Sequence, residues 1–185
     1  MALSLIIREN LDMNQKAYFA SGCFWGAERR FWQLPGVLST TVGYMGGITK
    51  NPTYKEVCSG LTNHAEMVEV IFDPELIDYD DLLFEFWEMH DPTSLNQQGG
   101  DIGTQYRSAI YVTSEDQMLK AKKSKEIYQT ELDKHGHSEI VTEILSADGI
   151  PYWLAEDYHQ RYLEKNPNGY DCHSSTGIKY PLKTR

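Results

Sequence analysis

The alternation of hydrophobic and polar positions early in the chain predicts a strand, a helix and a second strand. Residues 16–21 alternate and carry aromatic side chains, as a half-buried strand does. Residues 24–34 repeat apolar side chains at helical spacing, and Pro35 and Gly36 end that helix. The β-branched residues of 37–44 predict the second strand, which leads into a glycine-rich loop.

A second strand-helix-strand unit follows this loop. Residues 66–72 and 108–113 predict its strands, and Asp78 is placed to cap the helix between them, which ends near His90. The remaining predicted elements are a charged helix that begins at Ser114, a strand over 140–145 and a short helix over 155–164.

The order β-α-β followed by β-α-β predicts an α+β fold with a split βαβ, or ferredoxin-like, core. We expect a mixed sheet, flanking helices and an irregular C-terminal arm. The chain shows no internal repeat and no linker, so we expect a single domain over residues 1–185. Residues 1–14 form its N-terminal extension, and residues 166–185, rich in Asn, Gly, Ser and Thr, form a mobile arm.

Composition and charge exclude several classes of function. The 17 Lys and Arg residues against 27 Asp and Glu residues give a net charge of -10, which disfavours nucleic acid and anionic membrane surfaces as partners. The N-terminus lacks the basic segment of a secretory signal, and no apolar run is long enough to span a membrane. Three widely spaced cysteines are unlike a disulfide framework. We therefore expect a cytoplasmic protein, and we expect a monomer.

The stretch ASGCFWGAER singles out Cys23 as a candidate reactive thiol. A buried structural cysteine is usually flanked by residues that pack, whereas Gly22 and Gly26 leave the sulfur accessible. The predicted strand-helix junction puts Cys23 at a helix N-terminus, where unpaired amides and the helix dipole favour a thiolate. We therefore prefer a reactive thiol to a buried hydrophobic residue.

Three chemistries use such a thiol. Phosphate-ester hydrolysis fits the C-x5-R spacing of Cys23 and Arg29, but the intervening residues suit a phosphate cradle poorly. Papain-like acyl transfer needs a histidine beside the cysteine, and His64, His90 and His159 are available. Reduction of a sulfoxide needs an acid, donors for the oxygen, an apolar wall and a second thiol. The residues alone leave the last two chemistries open.

Five ordered motifs then favour one of these two chemistries. GCFWG around Cys23 is followed by GYMGG at 43–47, HAE at 64–66, DIGTQYRS at 101–108 and AEDYHQ at 155–160. In these motifs the chain closely resembles the peptide-methionine (S)-S-oxide reductases, the A class of methionine sulfoxide reductases. The resemblance extends over almost everything between residues 16 and 173.

The resemblance implies a role for each matching residue. It implies reduction of the S epimer of methionine sulfoxide, free or in proteins, as a repair of oxidative damage. The implied catalytic residues are the nucleophile Cys23, the proton donor Glu66, and Tyr44 and Tyr106, which hold the sulfoxide oxygen. The implied substrate-binding residues are Phe24 and Trp25, which form the S-methyl pocket, and Asp101 and His159, which line or support the site.

The resemblance also implies how the enzyme is recycled. Family members pass the oxidation to a C-terminal cysteine, here Cys172, and thioredoxin reduces the resulting disulfide without an organic cofactor or metal. The spacing of cysteines and histidines likewise supports no zinc site. Two departures stand out: Asp171 occupies a position where other members carry a cysteine, and Asn63 replaces a glycine before HAE. Asparagine tolerates a left-handed backbone, so we expect little effect at Asn63.

Two further residues are interpreted from the residue pattern itself. Alternation in the strand over 66–72 puts Glu66 on the same face as two valines. Burial on that face would raise the pKa of Glu66 and keep it protonated near neutrality. Cys58, in a short segment before Ser59, is expected to be structural, and a second role as a resolving thiol stays open.

Overall fold

The computed structural model describes residues 14–171 and 174–181. Residues 1–13 of the predicted N-terminal extension lie outside these ranges. None of the described helices is long and apolar enough to cross a membrane. The strands are β1 (Gln15–Ser21), β2 (Val37–Met45), β3 (Ala65–Phe72), β4 (Gln97–Gln98), β5 (Asp101–Ile102), β6 (Ser108–Val112), β7 (Glu143–Ser146) and β8 (Trp153–Leu154). The helices are α1 (Phe24–Trp32), α2 (Tyr54–Cys58), α3 (Tyr79–Met89), α4 (Glu115–Lys134) and α5 (Tyr162–Lys165), with a 3-10 turn over Thr104–Tyr106.

Six strands form one mixed sheet in the order β7-β6-β1-β3-β2-β8. Strand β1 pairs antiparallel with β3 and β6, and β3 pairs antiparallel with β2. Helix α1 therefore joins two strands that lie on either side of β3, and α3 joins two strands that lie on either side of β1. This is the split βαβ arrangement, so the predicted α+β fold is confirmed. The added strand β7 pairs parallel with β6.

The main hydrophobic core lies between one face of the sheet and helices α1, α3 and α4. Phe19 of β1 stacks on Phe31 of α1 with 4.8 Å between ring centroids, and it lies 5.4 Å from Phe86 of α3. Alternate strand positions supply this face because successive side chains point to opposite sides of a strand. Tyr44 of β2 belongs to the same core, and Glu66 shares the face with the buried Val68. Two polar side chains thus lie beneath the helices.

The prediction of a short helix over 155–164 is wrong for most of that range. Only Tyr162–Lys165 is helical, and residues 155–161 form an extended segment followed by turns. Gln160 binds the backbone of Val42 on β2, accepting from its N–H and donating to its carbonyl oxygen, each at 2.8 Å. This pairing with the sheet replaces the hydrogen bonds of a helix. Tertiary contacts therefore override the apolar spacing that predicted the helix.

Glu28 of α1 holds the end of the same segment. Arg161 adopts a left-handed conformation with φ 53° and donates its N–H to Glu28 at 2.9 Å, while the Thr40 hydroxyl donates to the other carboxylate oxygen at 3.0 Å. Glu28 is fully buried, and burial raises its pKa to about 7. These bonds fasten the C-terminal segment against α1.

The smaller differences from the sequence prediction concern short elements. The strand predicted over 140–145 begins only at Glu143. Helix α2 and strands β4, β5 and β8 have no sequence prediction, because five residues in the helix and two in each strand are too few to show a period. The Thr53 hydroxyl starts α2 by accepting from the Glu56 amide at 3.3 Å.

The described part of the C-terminal arm beyond residue 173 packs on α3. The Tyr180 amide donates to Glu88 at 2.9 Å, and the Tyr180 ring stacks on Phe84 with 4.4 Å between centroids. Residues 172–173 and 182–185 lie outside the described ranges. The mobility of the whole arm stays a prediction.

Candidate active site

Cys23 lies in the turn that joins β1 to α1. It directly precedes the first helical residue, with φ -54° and ψ 122°, and only 6% of it is exposed. Gly22 has φ +93°, and a Cβ there would lie 2.7 Å from side-chain carbons of Gln98. Both the conformation and the close approach require glycine. The turn therefore holds Cys23 at a helix N-terminus, an environment that favours negative charge.

Glu66 is a buried carboxylic acid beside this turn. It is 1% exposed, and its Oε2 accepts a hydrogen bond from the Phe24 amide at 3.0 Å. Burial raises the pKa of Glu66 to about 8; the Phe24 hydrogen bond opposes the increase and the charge of Asp101 adds to it. Glu66 therefore carries a proton at neutral pH. The prediction from strand alternation, that Glu66 is buried with a raised pKa, is confirmed.

Two tyrosines flank the acid. Tyr44 lies opposite Glu66 in the pairing of β2 with β3, so the two side chains are neighbours on one face. Burial and a hydrogen bond donated to Glu156 raise the pKa of Tyr44. Burial also raises the pKa of Tyr106, the charge of Glu66 raises it further, and Cys23 contributes a smaller effect. Both phenols therefore stay protonated at physiological pH.

Aromatic rings form an apolar wall beside the thiol. The buried ring of Phe24 lies 5.9 Å from the Tyr44 ring and 5.1 Å from the His159 ring. Trp25 stacks on Tyr162 with 3.9 Å between centroids, and its indole N–H donates to His159 Nδ1 at 3.0 Å. The wall suits a small alkyl group, and the hydrogen bond fixes the orientation of the indole.

Asp101 connects the site to the C-terminal arm. Its Oδ1 accepts a hydrogen bond from the Tyr170 hydroxyl at 3.1 Å. The next residue, Asp171, forms an ion pair with Arg29 of α1. Cys172, the predicted second thiol, follows in sequence but lies outside the described residues. The structure therefore describes the segment that leads to Cys172. Asp171 binds this segment to α1, the helix that begins beside Cys23.

Comparison with known proteins agrees with this geometry. A family model described as peptide methionine sulfoxide reductase matches residues 15–183. The chain belongs to the peptide methionine sulfoxide reductase family. A relative from Streptomyces griseus, peptide methionine sulfoxide reductase MsrA, is 57% identical over 171 residues, which cover 92% of this chain and 77% of the relative.

Solved structures show the same fold for the reductase. Methionine sulfoxide reductase A of Corynebacterium diphtheriae is 47% identical with a TM-score of 0.82, covering 90% of this chain and 81% of that one. Mxr1 from Saccharomyces cerevisiae in its reduced form is 35% identical with a TM-score of 0.80, covering 89% and 93%. Mxr1 in complex with Trx2 is 22% identical with a TM-score of 0.57, covering 89% and 91%, which shows the fold alone.

The hydrolase alternative required a histidine directed at the Cys23 thiol. In the reductase, the ring nitrogens of the three candidates face other groups. His64 binds the backbone of Gly47 and Thr49, and His90 binds the Phe86 carbonyl and the Ser108 hydroxyl. His159 binds Trp25 through Nδ1 and faces Glu156 through Nε2. The thiol instead lies beside a protonated carboxylic acid. Within the described residues, no group of three or more His, Cys, Asp or Glu side chains is arranged to hold a metal ion.

The structure brings residues to the reductase site that the sequence prediction left without a role. Glu156 binds the Tyr44 hydroxyl, and Tyr170 binds Asp101. Cys58, expected to be structural, is exposed, and its thiol is hydrogen-bonded to Tyr54. Partial burial raises the pKa of this thiol, and the Tyr54 hydrogen bond opposes the increase. Glu156 was visible only as part of the AEDYHQ motif, because no local pattern shows which strand a distant side chain will reach.

Proposed function

We propose that this reductase converts the S epimer of methionine sulfoxide, free or within proteins, to methionine. The observation that carries the proposal is Glu66, which is protonated at neutral pH and bonded to the amide that follows Cys23. Removing oxygen from a sulfoxide requires a soft nucleophile for the sulfur and a proton for the oxygen. Cys23 and Glu66 supply these two groups side by side, and in the cell the reaction repairs oxidised methionine.

The chemical step conserves atoms and electrons. The Cys23 thiolate attacks the sulfoxide sulfur while Glu66 transfers its proton to the oxygen. This attack joins the two sulfur atoms. That bond and the bond between the methionine sulfur and the oxygen then both break as the hydroxyl group moves to Cys23, which leaves methionine and a sulfenic acid on Cys23. Methionine sulfoxide is reduced by two electrons, and Cys23 is oxidised by two. The step needs no metal or organic cofactor.

The substrate occupies the space between the aromatic wall and the acid. Phe24 and Trp25 receive the S-methyl group, since an apolar wall favours an alkyl substituent. Tyr44 and Tyr106 contact the oxygen from the side of Glu66. Asp101 and His159 support the site, as their bonds to Tyr170 and Trp25 suggest.

Recycling requires a second thiol and a reductant. We propose that Cys172 attacks the sulfenic acid on Cys23, which releases water and forms a disulfide. The bonds of Tyr170 to Asp101 and of Asp171 to Arg29 support this, because they bring the preceding residues to the site. Thioredoxin then reduces the disulfide by exchange, in keeping with the Trx2 complex of yeast Mxr1. Few cysteines and a thioredoxin-dependent cycle favour the cytoplasm as the compartment.

A peptide that carries both epimers of methionine sulfoxide tests the proposed function. With thioredoxin as the reductant, consumption should stop when about half of the substrate is gone, because a chiral site accepts one epimer. Chromatographic separation of the epimers should show that the S form disappears. No consumption, or selective consumption of the R form, would contradict the proposal.

Glu66→Gln should retain substrate binding and slow single-turnover reduction by about 10²–10⁴-fold, the range of general-acid catalysis. Glutamine can still accept from the Phe24 amide but has no acidic proton. The wild-type rate should fall as the pH rises through about 8, where Glu66 loses its proton, and this decline should be absent from the variant. Glu69→Gln, on the same strand but facing the other way, is the matched control. Equal rates for Glu66→Gln and the wild type would show that the proton comes from another group.

A further inference from the structure

Glu156 connects the AEDYHQ segment to both sides of the active site. One carboxylate oxygen accepts from the Tyr44 hydroxyl at 2.9 Å, and the other accepts from the Tyr54 amide at 2.8 Å. Its side chain is one-third exposed, and its pKa is lowered, because the bonds from Tyr54 and Tyr44 outweigh partial burial. Glu156 is therefore ionised and accepts through both oxygens.

His159 leaves this negative charge intact. The Trp25 indole N–H donates to His159 Nδ1, so the proton of the neutral ring lies on Nε2. Burial lowers the pKa of His159, which keeps the ring neutral. Nε2 lies 3.9 Å from a Glu156 oxygen, beyond hydrogen-bond distance. Glu156 thus remains a charged acceptor, stronger than a neutral one, for the Tyr44 hydrogen.

The two tyrosines consequently present different groups to the substrate oxygen. The single hydrogen of the Tyr44 hydroxyl is bonded to Glu156, so the oxygen lone pairs of Tyr44 remain for the site. Within the described residues, the Tyr106 hydroxyl makes no hydrogen bond, and its hydrogen is available to a ligand. Tyr106 can therefore donate to an unprotonated sulfoxide oxygen, whereas Tyr44 can accept from that oxygen once it carries a proton.

We propose that Glu156 is a positioning residue that fixes the direction of the Tyr44 O–H bond, so that Tyr44 accepts a hydrogen bond from the protonated oxygen of the reacting sulfoxide. The proposal rests on the proposed function, in which Glu66 delivers that proton. Tyr44 then binds the oxygen more strongly during the reaction than in the bound substrate, which is the difference that accelerates a chemical step. Tyr106 recognises the sulfoxide itself.

Glu156→Gln reverses the Tyr44 hydrogen bond with little change of shape. The Tyr54 amide can only donate, so it takes the single carbonyl oxygen of glutamine. The glutamine NH₂ group then donates to Tyr44, whose hydroxyl rotates and directs its hydrogen into the site. Asp157→Asn is the matched control, because it removes one negative charge from the neighbouring exposed residue.

The experiment measures single-turnover production of methionine without reductant, as a function of the concentration of a methionine (S)-sulfoxide peptide. Glu156→Gln should lower the maximal rate about tenfold, since one hydrogen bond to the reacting oxygen changes from favourable to unfavourable. The same variant should bind the sulfoxide as tightly as the wild type or more tightly, because Tyr44 now donates to it. Asp157→Asn should match the wild type in both quantities.

A Tyr44→Phe background completes the test. Adding Glu156→Gln to Tyr44→Phe should change neither the rate nor the affinity, because Glu156 acts through the hydroxyl. An unchanged rate in Glu156→Gln, weaker binding together with a slower rate, or an equal effect in the Tyr44→Phe background would each overturn the proposal. A wild-type enzyme that formed no methionine would instead contradict the proposed function, so the two failures are distinguishable.

Discussion

Cys23→Ser should abolish reduction of methionine sulfoxide, with no methionine formed above the uncatalysed background. Serine has nearly the same size, so the turn between Gly22 and Phe24 should be preserved. At neutral pH, however, a hydroxyl lacks both the acidity and the soft nucleophilicity of a thiolate. The helix N-terminus at this position favours negative charge but cannot ionise a serine. Chromatographic assay of methionine with thioredoxin or dithiothreitol measures the loss.

Cys58→Ser is the control for Cys23→Ser. Both cysteines lie near Glu66, and Cys58 is exposed whereas Cys23 is buried. The Cys58 variant should retain single-turnover activity, because its sulfur lies at the end of α2 rather than in the turn before α1. Measurable turnover by Cys23→Ser, or a complete loss of activity in Cys58→Ser alone, would show that Cys23 is not the nucleophile.

Cys172→Ser should separate the chemistry from the recycling. In the proposed reaction, the attack on the sulfoxide does not involve Cys172, so the variant should still form about one equivalent of methionine per enzyme, as a sulfenic acid without a partner accumulates. Turnover with thioredoxin should collapse, because thioredoxin reduces disulfides and Cys23 is only 6% exposed. Dithiothreitol should partly restore turnover, since a small thiol can enter the site. Mass spectrometry should detect the sulfenic acid on Cys23.

The double variant Cys172→Ser with Cys58→Ser tests the remaining cysteine. If Cys172→Ser turned over normally with thioredoxin and the double variant did not, the resolving thiol would be Cys58. If both turned over normally, no resolving thiol would be needed. The expected result is the same low turnover in both, with the same single equivalent of methionine.

Much of the secondary structure of the reductase was determined by the sequence alone. The period-two alternation in β1 and β3 and the helical spacing in α1 each depend on residues close in the chain, so they predict elements and faces correctly. The same local information put Cys23 at a helix start and Glu66 on a buried face. The left-handed conformation expected to be tolerated at Asn63 is also present, with φ 54°.

The tertiary structure alone decided how distant segments complete the site. Residues 155–161 lose their predicted helix because Gln160 and Glu28 bind across more than a hundred residues of sequence. The direction of the Tyr44 hydroxyl depends on Glu156, which is likewise remote in the chain. Hydrogen bonds of this kind are decided by the fold as a whole, whereas periodicity reports only which side of an element is buried. The sequence therefore determined the helix start that holds Cys23 and the buried face that holds Glu66, and the tertiary structure decided that Glu156 joins them and which way the Tyr44 hydroxyl points.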